Sequence, residues 1–191
     1  MLILAVYLIL GLQEDYNFAL GLFKDGLYST AREEFLRFTS NYPQSNLVPK
    51  AKYYAAMCLY YSKDYKNASK ELENIVKTYR RHEIEKEAGY YLARTYFQLA
   101  EYKKSIDYFK RYESYNPDEA NYWIGEAYFK LTDYKSAINY YKKVEDTKDK
   151  NLRNYANYSL GFSYYNLKDY DNAINYLKKV EDPSLQKEAK L

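Results

Sequence analysis

Apolar side chains along this chain fall at intervals of three and four residues, and one such pattern is written repeatedly. Residues 133–146 read DYKSAINYYKKVED and residues 169–182 read DYDNAINYLKKVED, with eleven of fourteen letters unchanged at an offset of 36. Three weaker copies lie at 26–43 (GLYSTAREEFLRFTSNYP), 64–79 (DYKNASKELENIVKTY) and 101–117 (EYKKSIDYFKRYESYNP). Each copy centres on a small residue, Ala31, Ala68, Ser105, Ala137 or Ala173, at spacings of 37, 37, 32 and 36. A Tyr stands three positions before it (Tyr28, Tyr65, Tyr102, Tyr134, Tyr170) and a large residue four after it (Phe35, Leu72, Phe109, Tyr141, Leu177). These intervals trace one face of a helix, here called B, and a period of this size predicts a stacked array of helical repeats.

A second periodic segment, helix A, precedes each B. AKYYAAMCLYY, EAGYYLARTYF, EANYWIGEAYF and NYANYSLGFSYY each carry a small residue (Ala56, Ala93, Gly125, Gly161) and, three positions on, a large one (Leu59, Tyr96, Tyr128, Tyr164). A small side chain lets the neighbouring helix approach and the large one fills the adjacent gap. Lys63-Asp64, Thr132-Asp133 and Lys168-Asp169 read as turns whose Asp caps helix B. Aligned, the A helices give two aromatic columns seven residues apart on one face: Tyr16, Tyr53, Tyr90, Tyr122, Tyr158 and Phe23, Tyr60, Phe97, Phe129, Tyr165. The rings either pack between adjacent A helices or form a wall that grips a peptide, with Trp123 and Met57 as further anchors.

Composition narrows the chemistry. Twenty-eight Tyr stand beside one Trp, one Cys and one His, and 29 basic against 26 acidic side chains are interleaved rather than segregated. Without a basic track the Tyr column leaves nucleic-acid phosphates unmatched, so no nucleic-acid partner is expected. His82 reads as a loop side chain, Cys58 as a buried thiol, and the two cannot build a closed zinc site. No phosphate-binding loop or nucleophile with a nearby base is present, so no enzyme activity, cofactor or metal is expected.

The ends differ from the array. Met1 to Leu12 (MLILAVYLILGL) is an unbroken apolar run, shorter than the roughly 20 residues that span a bilayer and matching the core of an export signal. A membrane-associated or buried first segment is the other reading of that run. Residues 183–191 begin a further helix A and stop, and because a solenoid needs a polar-faced terminal element, the chain is expected to continue past Leu191.

The pattern resembles tetratricopeptide (TPR) repeats, most fully at Ile124-Gly125, Tyr128, Tyr134, Ala137, Tyr141 and at Leu160-Gly161, Tyr164, Tyr170, Ala173. Ser105 departs from the pattern's Ala, and the long linkers with Asn-Tyr-Pro-Gln-Ser-Asn at 41–46 look like the bacterial envelope subset, the outer-membrane-assembly lipoproteins and the Tol-Pal coordinator. The resemblance implies an all-α, right-handed superhelical solenoid of antiparallel helix pairs, five repeats plus a truncated sixth. The expected division is a signal-like leader, 1–12, and an array, 13–191, with repeats near 13–45, 49–80, 86–117, 118–149 and 154–182 and a partial one at 183–191. It further implies a non-catalytic scaffold that binds a protein or peptide on its concave face, through Tyr53, Met57, Tyr90, Phe97, Tyr122, Trp123, Phe129, Tyr158 and Tyr165. A periplasmic or envelope location is expected, with the cytoplasm as alternative and the apolar leader as the only membrane contact. The other functional reading is a docking segment of a longer enzyme or signalling protein. The Lys and Asn clamp with which some TPR proteins hold chaperone C-termini is replaced here by Tyr53, Met57, Tyr91, Glu119 and Trp123.

Overall fold

The computed structural model describes residues 2–188, and side chains for 11–187. Regular structure among them is helical throughout: α1 (Leu2–Lys24), α2 (Tyr28–Asn41), α3 (Val48–Tyr61), α4 (Tyr65–Thr78), α5 (Ile84–Gln98), α6 (Tyr102–Tyr112), α7 (Pro117–Lys130), α8 (Tyr134–Lys142), α9 (Lys150–Asn166), α10 (Tyr170–Lys178) and α11 (Pro183–Glu188). Odd-numbered helices to α9 are the A helices and their even-numbered successors the B helices, so the expected all-α array of antiparallel pairs is the observed architecture. Helix α1 runs without a break through Gln13, where the apolar leader was expected to give way to the first repeat. No Pro interrupts it. The expectation of an export signal rests on side chains that lie largely outside the described ones. Among the described residues, no helix is long and apolar enough to cross a membrane.

The chain divides into two compact units, one reaching to Thr95 and one starting at Tyr96. In the first, Tyr16, Ala19, Ala31, Phe35, Phe38, Ala51, Ala55 and Cys58 form the core between α1, α2 and α3. In the second, Ala137, Ile138, Tyr141, Leu160 and Tyr176 do the same between α8, α9 and α10, flanked by Tyr122, Tyr128, Phe129 and Tyr164 from α7 and α9. Burying each large side chain contributes about 1.5–3 kcal/mol. The small A-helix residues act by close approach: a Cβ on Gly125 would lie 2.5 Å from the Tyr141 ring, and one on Gly161 would lie 2.5 Å from Leu177.

All five turns from A to B share one geometry. Gly26, Lys63, Ala100, Thr132 and Lys168 each adopt positive φ, between 59° and 77°. The following residue donates its N–H five residues back, as in Asp64 to the Leu59 carbonyl, Asp133 to Tyr128 and Asp169 to Tyr164, so the last carbonyls of helix A are satisfied. Asp64, Asp133 and Asp169 then cap helix B by accepting from the N–H of Asn67, Ser136 and Asn172. Leu27 and Glu101, at the same position, make no side-chain cap bond.

Candidate functional site: a cleft between two A helices

The second aromatic column closes the turns. Each of its rings meets the first Tyr of the next B helix edge-on: Phe23 with Tyr28, Tyr60 with Tyr65, Phe97 with Tyr102, Phe129 with Tyr134 and Tyr165 with Tyr170, at centroid distances of 5.3–5.7 Å. Edge-to-face pairs at this range add about 0.5–1.5 kcal/mol beyond area burial. Tyr165 nevertheless keeps 41% of its surface in water.

The first column differs between the units. In the first, Tyr16, Tyr53 and Tyr90 are buried, and so is Met57. Tyr53, Met57 and Tyr90 therefore belong to packing and leave the predicted binding surface. Tyr53 can bury its ring because its hydroxyl donates to Glu87 on α5 at 3.0 Å, which removes the cost of an unpaired phenol. Burial, and secondarily the charge of Tyr54, pushes the Tyr16 phenol up to about 12.

In the second unit the predicted residues stay half-exposed and gather. Phe97 packs edge-on to Trp123 at 5.0 Å, Trp123 to Tyr122 at 5.7 Å, and Tyr122 lies 6.4 Å from the exposed Tyr155. Tyr158 packs against Phe162 at 4.7 Å. Between α7 and α9 opens a cleft of about 240 Å³, lined by Glu126, Phe129 and Lys130 from one helix and Tyr158, Ser159 and Phe162 from the other. Phe129 and Tyr158 were expected there. Glu126, Lys130, Ser159 and Phe162 were not, although their spacing (126, 129, 130 and 158, 159, 162) places each trio on one helical face.

Glu126 is the polar centre of the cleft. Its Oε1 accepts from the Tyr141 hydroxyl and from the Ser159 hydroxyl, each at 2.7 Å. Burial, and next the Glu126 charge, holds the phenols of Tyr141 and Tyr122 well above their ordinary value. Elsewhere, the Cys58 thiol is buried and pushed up to about 12, mainly by that burial. His82 accepts the Ile84 N–H on Nδ1, a loop-ordering contact. Among the described residues no group of three or more His, Cys, Asp or Glu side chains could hold a metal ion.

Residues 12–122, more than half of the chain, match the family model YfiO, outer membrane lipoprotein. The chain belongs to this family. Residues 111–180 match a second model, ANAPC3, anaphase-promoting complex, cyclosome, subunit 3. No curated protein matches the sequence. Among solved structures, MamA 41-end from Desulfovibrio magneticus RS-1 superposes with a TM-score of 0.79 at 18% identity, covering 94% of this chain and 97% of that one. The kinesin light chain TPR-like repeats of Podosopora anserina give a TM-score of 0.70 at 14% identity, covering 94% and 96%. These likenesses establish a TPR-type fold.

Proposed function

We propose that this chain is a non-catalytic protein-interaction scaffold that serves an assembly at the bacterial envelope and docks a peptide or protein partner along the A helices of its second unit. The observation that carries this reading is the cleft between α7 and α9, where aromatic walls stay open to solvent beside the half-exposed cluster of Phe97, Tyr122 and Trp123 and the exposed Tyr165. Partner anchors of this kind concentrate in aromatic-rimmed pockets. The match to an outer membrane lipoprotein family supports the envelope location, and the apolar N-terminal run would supply the membrane contact.

Site-specific photo-crosslinking tests the docking face. A benzophenone amino acid at Phe162 or Tyr165 should capture a discrete partner in envelope extract, whereas the same group at the exposed Asn139 on helix B should not. Equal capture from both faces, or capture from Asn139 alone, would remove the cleft from the interface. Fractionation of cells expressing the native N-terminus tests location, and an exclusively cytosolic product would refute the envelope assignment.

A further inference from the structure

Building on the docking surface proposed above, we infer that the cleft between α7 and α9 selects an arginine side chain of the partner, with Glu126 as its counter-charge and Phe129, Tyr158 and Phe162 as its walls. Glu126 is half-buried, and among the described residues no ion pair engages it. Lys130, four residues on and lining the same cleft, is exposed and forms no ion pair with it. A carboxylate withdrawn from water favours a cation, and here two hydroxyls already fix its orientation through one oxygen. The walls decide which cation. A guanidinium is planar, weakly hydrated and stacks on aromatic faces while it forks onto a carboxylate, whereas an ammonium is compact and strongly hydrated. The Tyr158–Phe162 pair and Phe129 line the cleft with aromatic rings from both helices.

The test is selection from a phage-displayed dodecapeptide library against the 191-residue chain, followed by affinity measurements with the selected peptides on three variants. Glu126→Gln keeps an acceptor for Tyr141 and Ser159 but removes the charge. Phe162→Ala removes one wall, and Lys130→Ala removes the repelling neighbour. Arginine should be enriched at one fixed position. Replacing it by citrulline, which keeps the shape without the charge, should weaken binding about tenfold or more, and Glu126→Gln should do the same without adding to it. Lys130→Ala should tighten binding of the arginine peptides. Peptides lost in Phe162→Ala that show no arginine preference, that accept lysine equally, or that bind Glu126→Gln unchanged would overturn the arginine assignment while leaving the docking surface in place. A library that yields no binder sensitive to Phe162→Ala would overturn both.

Discussion

Gly125→Ala isolates the close approach on which each helix pair depends. An added Cβ would lie 2.5 Å from Cε1, 2.6 Å from Cδ1 and 3.1 Å from Cζ of Tyr141. Carbon atoms in contact prefer about 3.5–4.0 Å, so the ring must retreat by about 1 Å. Tyr141 has no exposed surface and its hydroxyl is tied to Glu126, so the retreat strains the core and stretches a charge-assisted hydrogen bond. Overpacking of this kind costs about 1–3 kcal/mol, and losing a hydrogen bond to a charged group a further 1.5–3 kcal/mol at most, about. The higher helix propensity of Ala offsets about 1 kcal/mol. The net expectation is a destabilisation of about 2 kcal/mol, equivalent to a fall of about 4–8 °C in Tm for a chain of this length. Urea titration followed by far-UV circular dichroism and by Trp123, the only Trp and two residues away, reports it. Gly161→Ala should cost less, because its obstacle, Leu177, is a flexible and only partly buried side chain. In a Tyr141→Ala background, where no side chain reaches the added Cβ, the penalty of Gly125→Ala should vanish. A Gly125→Ala variant as stable as the parent, or a penalty that survives Tyr141→Ala, would refute the close-approach argument.

Three further outcomes follow from the turns and the buried phenols. Thr132 is β-branched at a φ of 60°, so Thr132→Gly should raise stability by about 1 kcal/mol in urea unfolding, where an ordinary exposed Thr→Gly change lowers it. Asp169→Ala removes the cap on α10 and should cost about 1 kcal/mol, with loss of protection in hydrogen exchange confined to the first turn of that helix. Tyr16 ionises at about 12 in the fold against 10.0 ordinarily, so its contribution is intact below pH 10 and is lost as pH rises from 10 towards 12, because the unfolded chain releases its proton first. Stability should therefore fall above pH 10, and Tyr16→Phe should reduce that fall by about 1 kcal/mol between pH 10 and 11, read as unfolding free energies from urea titrations.

The B helices were legible because their repetition is a packing instruction: Tyr134, Ala137 and Tyr141 recur as Tyr170, Ala173 and Leu177, and each set meets the preceding A helix where Gly125 or Gly161 leaves room. The Asp caps were legible for the same local reason. The aromatic columns were not, since periodicity places a ring on a face without saying how far the next helix covers it. Tyr53 is buried with its hydroxyl received by Glu87, 34 residues away, while Tyr158 is only half-buried. Nor does the sequence mark the positive φ of Lys63, Ala100, Thr132 and Lys168, because only Gly26 among the five equivalent residues carries the usual signal. Glu126 is not marked by the sequence either, since a carboxylate four residues from a Lys reads as a solvated face.

The excess of Tyr over Phe has a physical rationale in these contacts. Tyr42 donates to Asp15, Tyr53 to Glu87, Tyr141 to Glu126 and Tyr176 to Glu145, so in each unit a ring that packs like Phe also ties its helix to a carboxylate on another segment of the stack. A Phe would bury the same area but would not fix the register, since apolar contact is non-directional and a hydroxyl–carboxylate bond is not. Three of these carboxylates, Asp15, Glu87 and Glu145, line none of the clefts described. Glu126 differs in that it also faces the cleft between α7 and α9, so the bond that positions α8 against α7 also orients the group that would meet a partner. Occupancy of the cleft and the packing of its own repeat are thereby linked through a single side chain, and any ligand that engages Glu126 draws on a contact the fold already uses.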